Sequence, residues 1–263
     1  MHKILADILR RKRREVALAK TFLPLQQLVR EAEGFTHKSQ FRLRLENASD
    51  RGAIIAEIKV ASPTYPNLGV LADASARARI YERAGADGIS FITEKHYFKT
   101  DLGDLAGVQA ATTLPVLQKD FVIDEYQIYA SHQAGVDALL LIAGLVEAPL
   151  LRRFVAIAQK LGIEPVVEVN TSDDLEQAVS TDTAIIAVNA RDLKTFNVDK
   201  LQACNLIEHV PKRYLTLGFS GVKSYEDVRR YRAAGVGGVL VGTSLMEAQD
   251  PAAFLKSLRG QDD

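Results

Sequence analysis

Lys119 stands in the stretch PVLQKDFVIDEY, residues 115–126, where an apolar run gives way to a helix-start signal. Pro115, Val116 and Leu117 read as the front of a buried strand, and Asp124 with Gln127 three residues on reads as a capping box. That order puts Lys119 at the strand's C-terminal end. In a parallel sheet with crossover helices, ligands gather outside those ends. A lysine held there among apolar neighbours loses hydration, which lowers its pKa and suits it to proton transfer. An ion-paired lysine closing a strand is the other reading of the same residue.

Other apolar runs end in comparable chemistry. Glu57 and Lys59 close the run AIIAEIK, Glu168 closes EPVVEV, and Asn189 with Arg191 follows AIIAVN. Residues two apart on a strand share a face, so Glu57 and Lys59 are expected to point the same way, with Glu168 and Asn189 at similar heights. Ion pairs plugging a barrel end would account for one or two of these residues, but poorly for charged ends on four separate runs. Three small-residue pairs also fall just after apolar runs: Ser62-Pro63, Ser220-Gly221 and Gly242-Thr243. Small residues let backbone N–H groups approach an anion, so these segments are expected to hold a phosphate.

The elements that must position these groups follow from the alternation of short apolar runs with helical stretches. The runs lie at 53–59, 88–93, 115–121, 138–143, 164–169, 184–189, 214–220 and 238–243, eight in all. Near-continuous apolar strands are buried on both faces, and the segments between them are long enough for crossover helices, which is the pattern of a closed (β/α)8 TIM barrel. An open doubly wound sheet is the alternative. The phrases AGADGI, AGVDAL and AGVGGV place Gly85, Gly135 and Gly235 in phase, at spacings of 50 and 100 residues, where helices should end before strands. Ahead of the first strand, Ile4, Leu5, Ile8, Leu9 and Val16 lie at helical spacing, and Pro24 precedes a second short helical pattern. Residues 1–50 thus read as an N-terminal helical extension of one barrel domain spanning 1–263. The basic run Arg10–Arg14 is flanked by Asp7 and Glu15 and reads as a solvated helix face.

Composition limits the classes of partner. Lys plus Arg and Asp plus Glu both number 33, so no global field draws in nucleic acid or an anionic membrane. The lone Cys204 forms no internal disulfide, and the five histidines show no close metal-ligand spacing, so a reducing cytoplasm and no structural metal are expected. The longest apolar run, Ala138 to Ala143, is too short to span a bilayer.

The segments AEIKVASP, TEKHYF, LQKDFVIDEYQIY, VVEV and VNARDLKTF, with the closing VGTSLM, resemble indole-3-glycerol phosphate synthase of tryptophan biosynthesis across nearly the whole chain. The resemblance implies a cofactor-free carboxy-lyase. It would convert 1-(2-carboxyphenylamino)-1-deoxyribulose 5-phosphate to indole-3-glycerol phosphate, with loss of carbon dioxide and water. Carried over by motif, Lys119 would protonate the substrate carbonyl and Lys59 would lie near the leaving carboxylate. Glu168 would handle protons in the dehydration, Glu57 would orient lysines and hydroxyls, and Asn189 would fix the anthranilate or ribulose portion. Ser62, Ser220, Gly221, Gly242 and Thr243 would hold the phosphate, with Arg191 as a ligand or a partner to one. Phe121, Leu140, Phe219 and Leu240 would form the apolar wall, although plain barrel core explains Phe121, Leu140 and Leu240 equally well. Association with other tryptophan-pathway enzymes is a further implication.

The chain departs from that family's usual pattern at defined places. FSG stands where ESG is usual, so Phe219 replaces a carboxylate; such a ring would remove a counter-charge from the lysines and exclude water. Residues 64–69 make a longer, proline-containing loop, Val60 stands where a basic residue is common, and Asn170 where a histidine is common. Two other functions are therefore weighed beside the synthase: a phosphate-binding paralogue with little turnover, and a barrel repurposed for Schiff-base chemistry on a low-pKa lysine.

Overall fold

A computed structural model describes residues 3–33, 38–193 and 195–260. Among these, three helices precede the first strand: α1 (Lys3–Phe22), α2 (Leu25–Ala32) and α3 (Phe41–Ala48). Eight strands follow, β1 (Ala53–Ile58), β2 (Gly88–Ile92), β3 (Val116–Lys119), β4 (Ala138–Ile142), β5 (Glu164–Val169), β6 (Ile185–Asn189), β7 (Leu215–Phe219) and β8 (Gly238–Val241). All neighbours pair in parallel, and β8 returns to β1, so the sheet closes on itself. The expected (β/α)8 barrel is therefore the fold, and the open sheet is excluded. Between and after the strands run α4 (Ala74–Arg83), α5 (Leu105–Gln109), α6 (Glu125–Gln133), α7 (Ala148–Lys160), α8 (Ser172–Val179), α9 (Lys200–Glu208), α10 (Tyr225–Ala234), α11 (Thr243–Glu247) and α12 (Pro251–Ser257). None of the described helices is long and apolar enough to cross a membrane.

The barrel carries two packed layers because alternate residues of each strand face opposite sides. Ile55, Leu117, Leu140, Val166, Ala187, Leu217 and Phe219 fill its interior, while Ile54, Ile89, Val116, Leu139 and Val167 pack outward under the helices. The base of the interior is closed by α3, a helix absent from the sequence reading. Its Phe41, Leu45 and Ala48, spaced i, i+4 and i+7, join the inner cluster. Gly88 admits the ring, since a Cβ there would stand 3.4 Å from Phe41 Cε2. Burying such a ring contributes about 1.5–3 kcal/mol.

The in-phase glycines end their helices as anticipated, with φ of 89° at Gly85, 71° at Gly135 and 114° at Gly235. In each case the next residue's N–H reaches back to a carbonyl five residues earlier: Ala86 to Tyr81, Val136 to Ser131 and Val236 to Tyr231. Two of the repeats then place an aspartate under the sheet. Asp87 Oδ2 accepts from the N–H of Ile54, and Asp137 Oδ2 from that of Val116, both at 2.9 Å. The third repeat has Gly237 instead, where a Cβ would meet Leu215 Cδ1 at 2.7 Å. The capping box at Asp124 and Gln127 forms and starts α6 directly after the Lys119 segment.

The basic run on α1 is not uniformly solvated. Arg11 pairs with Asp7 at 2.6 Å, and Lys12 is buried against the barrel, its amine 2.9 Å from Asp120 Oδ1. The expectation of a solvated face fails at Lys12 because its partner lies 108 residues away in sequence.

Candidate active site

Two ion pairs furnish the C-terminal mouth of the barrel. Lys59 Nζ, just past β1, donates to Glu57 Oε1 at 2.9 Å and to Thr243 Oγ1 at 3.1 Å. Gly242 is what lets β8 approach this pair: a Cβ there would stand 2.3 Å from Glu57 Oε1 and 3.1 Å from Lys59 Nζ. Across the mouth, Lys119 Nζ lies 3.3 Å from Glu168 Oε2, and Asn189 Nδ2 donates to Glu168 Oε1 at 2.9 Å. Glu168 is fully buried, so these two donors answer the desolvation cost of its carboxylate, which runs to several kcal/mol when unanswered. Register sets these heights: Ile92 pairs with Lys119, Glu168 with Ala187, and Asn189 with Phe219.

Phe219 is wholly buried, with its ring centroid 5.9 Å from Lys119 Nζ. That is within the range of a cation–π contact. Lys119 does not lack a counter-charge, because Glu168 supplies one and the ring face adds a second attraction for positive charge.

Thirteen of the fifteen residues that the family resemblance assigned to the site border one cavity of about 550 Å3: Glu57, Lys59, Ser62, Lys119, Phe121, Asn189, Arg191, Phe219, Ser220, Gly221, Leu240, Gly242 and Thr243. Glu168 sits beneath it, reaching the opening only through Lys119 and Asn189. Leu140 lies one pleat deeper in the inner core and does not border the cavity; Ile142, two residues on, takes that place in the wall. Arg191 shapes the following loop, its N–H donating to Asn189 Oδ1 at 3.0 Å and its guanidinium to the Phe196 carbonyl at 3.0 Å. Asn170 braces the same turn through the carbonyls of Asn189 at 2.6 Å and Arg191 at 2.8 Å.

After β7 the chain turns on two consecutive residues of positive φ, Ser220 at 68° and Gly221 at 80°. A Cβ on Gly221 would stand 2.9 Å from Lys200 Cγ, so the glycine leaves a channel for that side chain. Lys200 in turn pairs with Asp227. Burial pushes the Asp227 carboxyl upward, but the Lys200 hydrogen bond and the Lys223 backbone N–H outweigh it and hold the group below the usual carboxylate range.

The loop 64–69 folds back on itself rather than extending. The N–H groups of Leu68 and Gly69 reach the Val60 carbonyl at 2.9 and 3.1 Å, and Ser62 and Tyr65 exchange backbone hydrogen bonds at 2.7 and 3.1 Å. Lys99 fixes its tip by donating to the Pro66 carbonyl at 2.8 Å.

Sequence reasoning missed several residues of the wall. Leu5 and Ile8 of α1 border the cavity, as do Tyr65, Phe98, Lys200 and Lys223. The α1 pair had a signal, an apolar stripe without an assigned partner; the two lysines had none, since nothing local marks Lys200 at the start of α9 or Lys223 in the loop after β7 as turned inward. Among the described residues no group of three or more His, Cys, Asp or Glu side chains is placed to hold a metal ion.

A closed parallel barrel whose mouth carries two lysines, each paired with a carboxylate above an apolar floor, has the architecture of a (β/α)8-barrel enzyme. The profile of the family described as "Indole-3-glycerol phosphate synthase" matches residues 5–258. The chain belongs to the indole-3-glycerol phosphate synthase family. Proteins named indole-3-glycerol phosphate synthase from Leifsonia xyli subsp. xyli, Caldanaerobacter subterraneus subsp. tengcongensis and Desulfosudis oleivorans are 42%, 40% and 37% identical to it. The first alignment covers 81% of both chains, and the other two cover 98% of this chain and 99% of the relative. A crystal structure of 3-hexulose-6-phosphate synthase shares the fold, with a TM-score of 0.63 at 18% identity over 79% of this chain and 98% of that one.

Proposed function

We propose that this protein is a working indole-3-glycerol phosphate synthase. It would close the pyrrole ring of 1-(2-carboxyphenylamino)-1-deoxyribulose 5-phosphate and release carbon dioxide and water. The observation that carries the reading is the convergence of Lys119–Glu168–Asn189 and Glu57–Lys59–Thr243 on one cavity. The ring carbon that bears the carboxylate attacks the ribulose carbonyl, and Lys119 delivers a proton to the oxygen as negative charge grows there. The carboxylate then leaves as carbon dioxide, its bonding electrons returning to the ring, with Lys59 beside it. Loss of the former carbonyl oxygen as water completes the indole, and Glu168 moves the protons this requires. Glu57 holds Lys59, and Asn189 steadies Glu168.

Ser62, Arg191, Ser220, Gly221, Gly242 and Thr243 are assigned to the phosphate end, and Phe121, Phe219 and Leu240 to the aromatic wall. Each lysine of the mouth has a carboxylate partner, Lys119 with Glu168 at 3.3 Å and Lys59 with Glu57 at 2.9 Å, an arrangement that suits proton donors better than the free amine of the Schiff-base alternative. A single barrel domain carrying residues 1–50 as its extension, a cytoplasmic setting and association with neighbouring enzymes of tryptophan synthesis complete the proposal; the setting is read from the lone Cys204, and the association rests on the family alone.

The test is product identity. Purified protein incubated with the carboxyphenylamino substrate is expected to yield indole-3-glycerol phosphate, identified by mass and fluorescence, with one carbon dioxide per product. Unchanged substrate, or consumption without carbon dioxide, contradicts the proposal.

A further inference from the structure

Lys119 is held by its neighbours on both sides. Gln118 Nε2 donates to Thr93 Oγ1 at 3.0 Å, and that hydroxyl donates to Asp120 Oδ2 at 2.9 Å. The Thr93 N–H meets the carbonyl of Lys119 itself at 3.0 Å. Asp120 Oδ1 accepts from the Phe121 N–H at 2.7 Å. The residues before and after Lys119 are thus clamped around one threonine, and the clamp turns on a carboxylate that is 7% exposed.

A carboxylate so buried needs a counter-charge, and it comes from outside the barrel. Lys12 of α1 is 6% exposed and places its amine 2.9 Å from Asp120 Oδ1 and 3.2 Å from Oδ2. The helix that carries it also presents Leu5 and Ile8 to the cavity. Burial works against the charge of Lys12, but the Asp120 carboxylate prevails and raises its pKa above that of an ordinary lysine. Lys12 therefore keeps its charge at neutral pH.

We infer that Lys12 is a positioning residue for Lys119: by neutralising Asp120 it fixes the backbone from which the proton donor projects. It touches neither substrate nor reacting atoms. Without it, Asp120 moves toward water or another cation and carries the Lys119 segment with it. A misplacement of about 1 Å at a reacting group costs on the order of 100-fold.

The inference rests on the synthase reading, so its test is a ratio between variants of a protein whose own turnover is measured first. Absence of turnover in the unsubstituted protein would refute that reading and not this one. Lys12→Met is expected to lower kcat by about 10- to 100-fold with KM changed less than about threefold. Lys12→Met/Asp120→Asn, which removes the charge that needed neutralising, is expected to recover most of that loss. Thermal melts establish that each variant is folded at the assay temperature. Should Lys12→Met not fold, the double variant carries the test, expected to fold and to keep kcat within about tenfold of the parent. A Lys12→Met kcat equal to the parent's overturns the inference. So does a double variant no faster than Lys12→Met, or, where the single variant does not fold, a double variant that also fails to fold or loses more than about tenfold.

Discussion

Glu57, Lys59 and Gly242 form one packing unit, and the glycine is as necessary to it as the charges. In Gly242→Ala the methyl group must displace Glu57 Oε1, 2.3 Å from the ideal Cβ, so the Lys59 contact breaks. We expect kcat to fall at least about tenfold, more than any loss of stability explains, because an alanine exchange outside a special site usually stays within a few kcal/mol. Unchanged kinetics would show that the pair can shift without cost. At this scale the sequence was most legible where strand parity decides direction, since one apolar run is enough to say that Glu57 and Lys59 share a face. It was least legible where a charge finds its partner across the fold. Lys12 looked like its arginine neighbours because Asp120 is brought to it only by closure of the barrel. Leu140, weighed both as cavity wall and as plain barrel core, is core, a distinction of depth that strand parity does not make.

The helix-ending glycines are the clearest link from sequence to element. Gly85, Gly135 and Gly235 all have positive φ, none borders the cavity, and no neighbouring atom within 4 Å meets a Cβ at Gly85 or Gly235. An alanine at Gly85 or Gly235 is therefore opposed by backbone conformation alone. Each is expected to destabilise the fold by about 1–2 kcal/mol, read from denaturant midpoints, with kcat unchanged. A stability equal to the parent's would mean that the turn can re-form with negative φ. The attachment of α1 is a second element-scale matter. Hydrogen bonds from Arg11 and Arg10, with another from Tyr97, hold the Asp7 carboxyl well below the usual carboxylate range. Its folded pKa is depressed, so its contribution is present in full above the unfolded value of about 3.9 and is lost as pH falls below it. The melting-temperature difference between the parent and Asp7→Asn should thus be constant from neutral pH to about pH 5 and shrink below about pH 4. A difference that persists undiminished at pH 2 would contradict that assignment. The helix α3 escaped notice although Phe41, Leu45 and Ala48 carry a helical stripe, because the pattern is two turns long and its partner surface is the barrel floor.

At the scale of the whole molecule, eight strands bring to one cavity residues that lie as far apart in sequence as Lys59 and Thr243. The order of apolar runs was enough to foresee the closed barrel, because parallel strands buried on both faces leave few other arrangements. The shape of the mouth was not foreseeable, since loop 64–69 and the turn at Ser220 depend on contacts made only after closure. If the small residues after β7 and β8 hold the substrate's phosphate, inorganic phosphate should inhibit competitively, and an anion should bind near Gly221, Gly242 or Thr243 in crystals. Noncompetitive inhibition, or an anion only at the α3 end, would argue otherwise. The central claim is that Lys119 at this mouth is the proton donor of a synthase, and the direct measurement is kcat of the parent and of Lys119→Ala, followed by indole fluorescence in one assay. The account predicts a parent that turns over and a folded variant slower by about 10²- to 10⁴-fold. A variant that keeps more than about a tenth of the parent's kcat would contradict it.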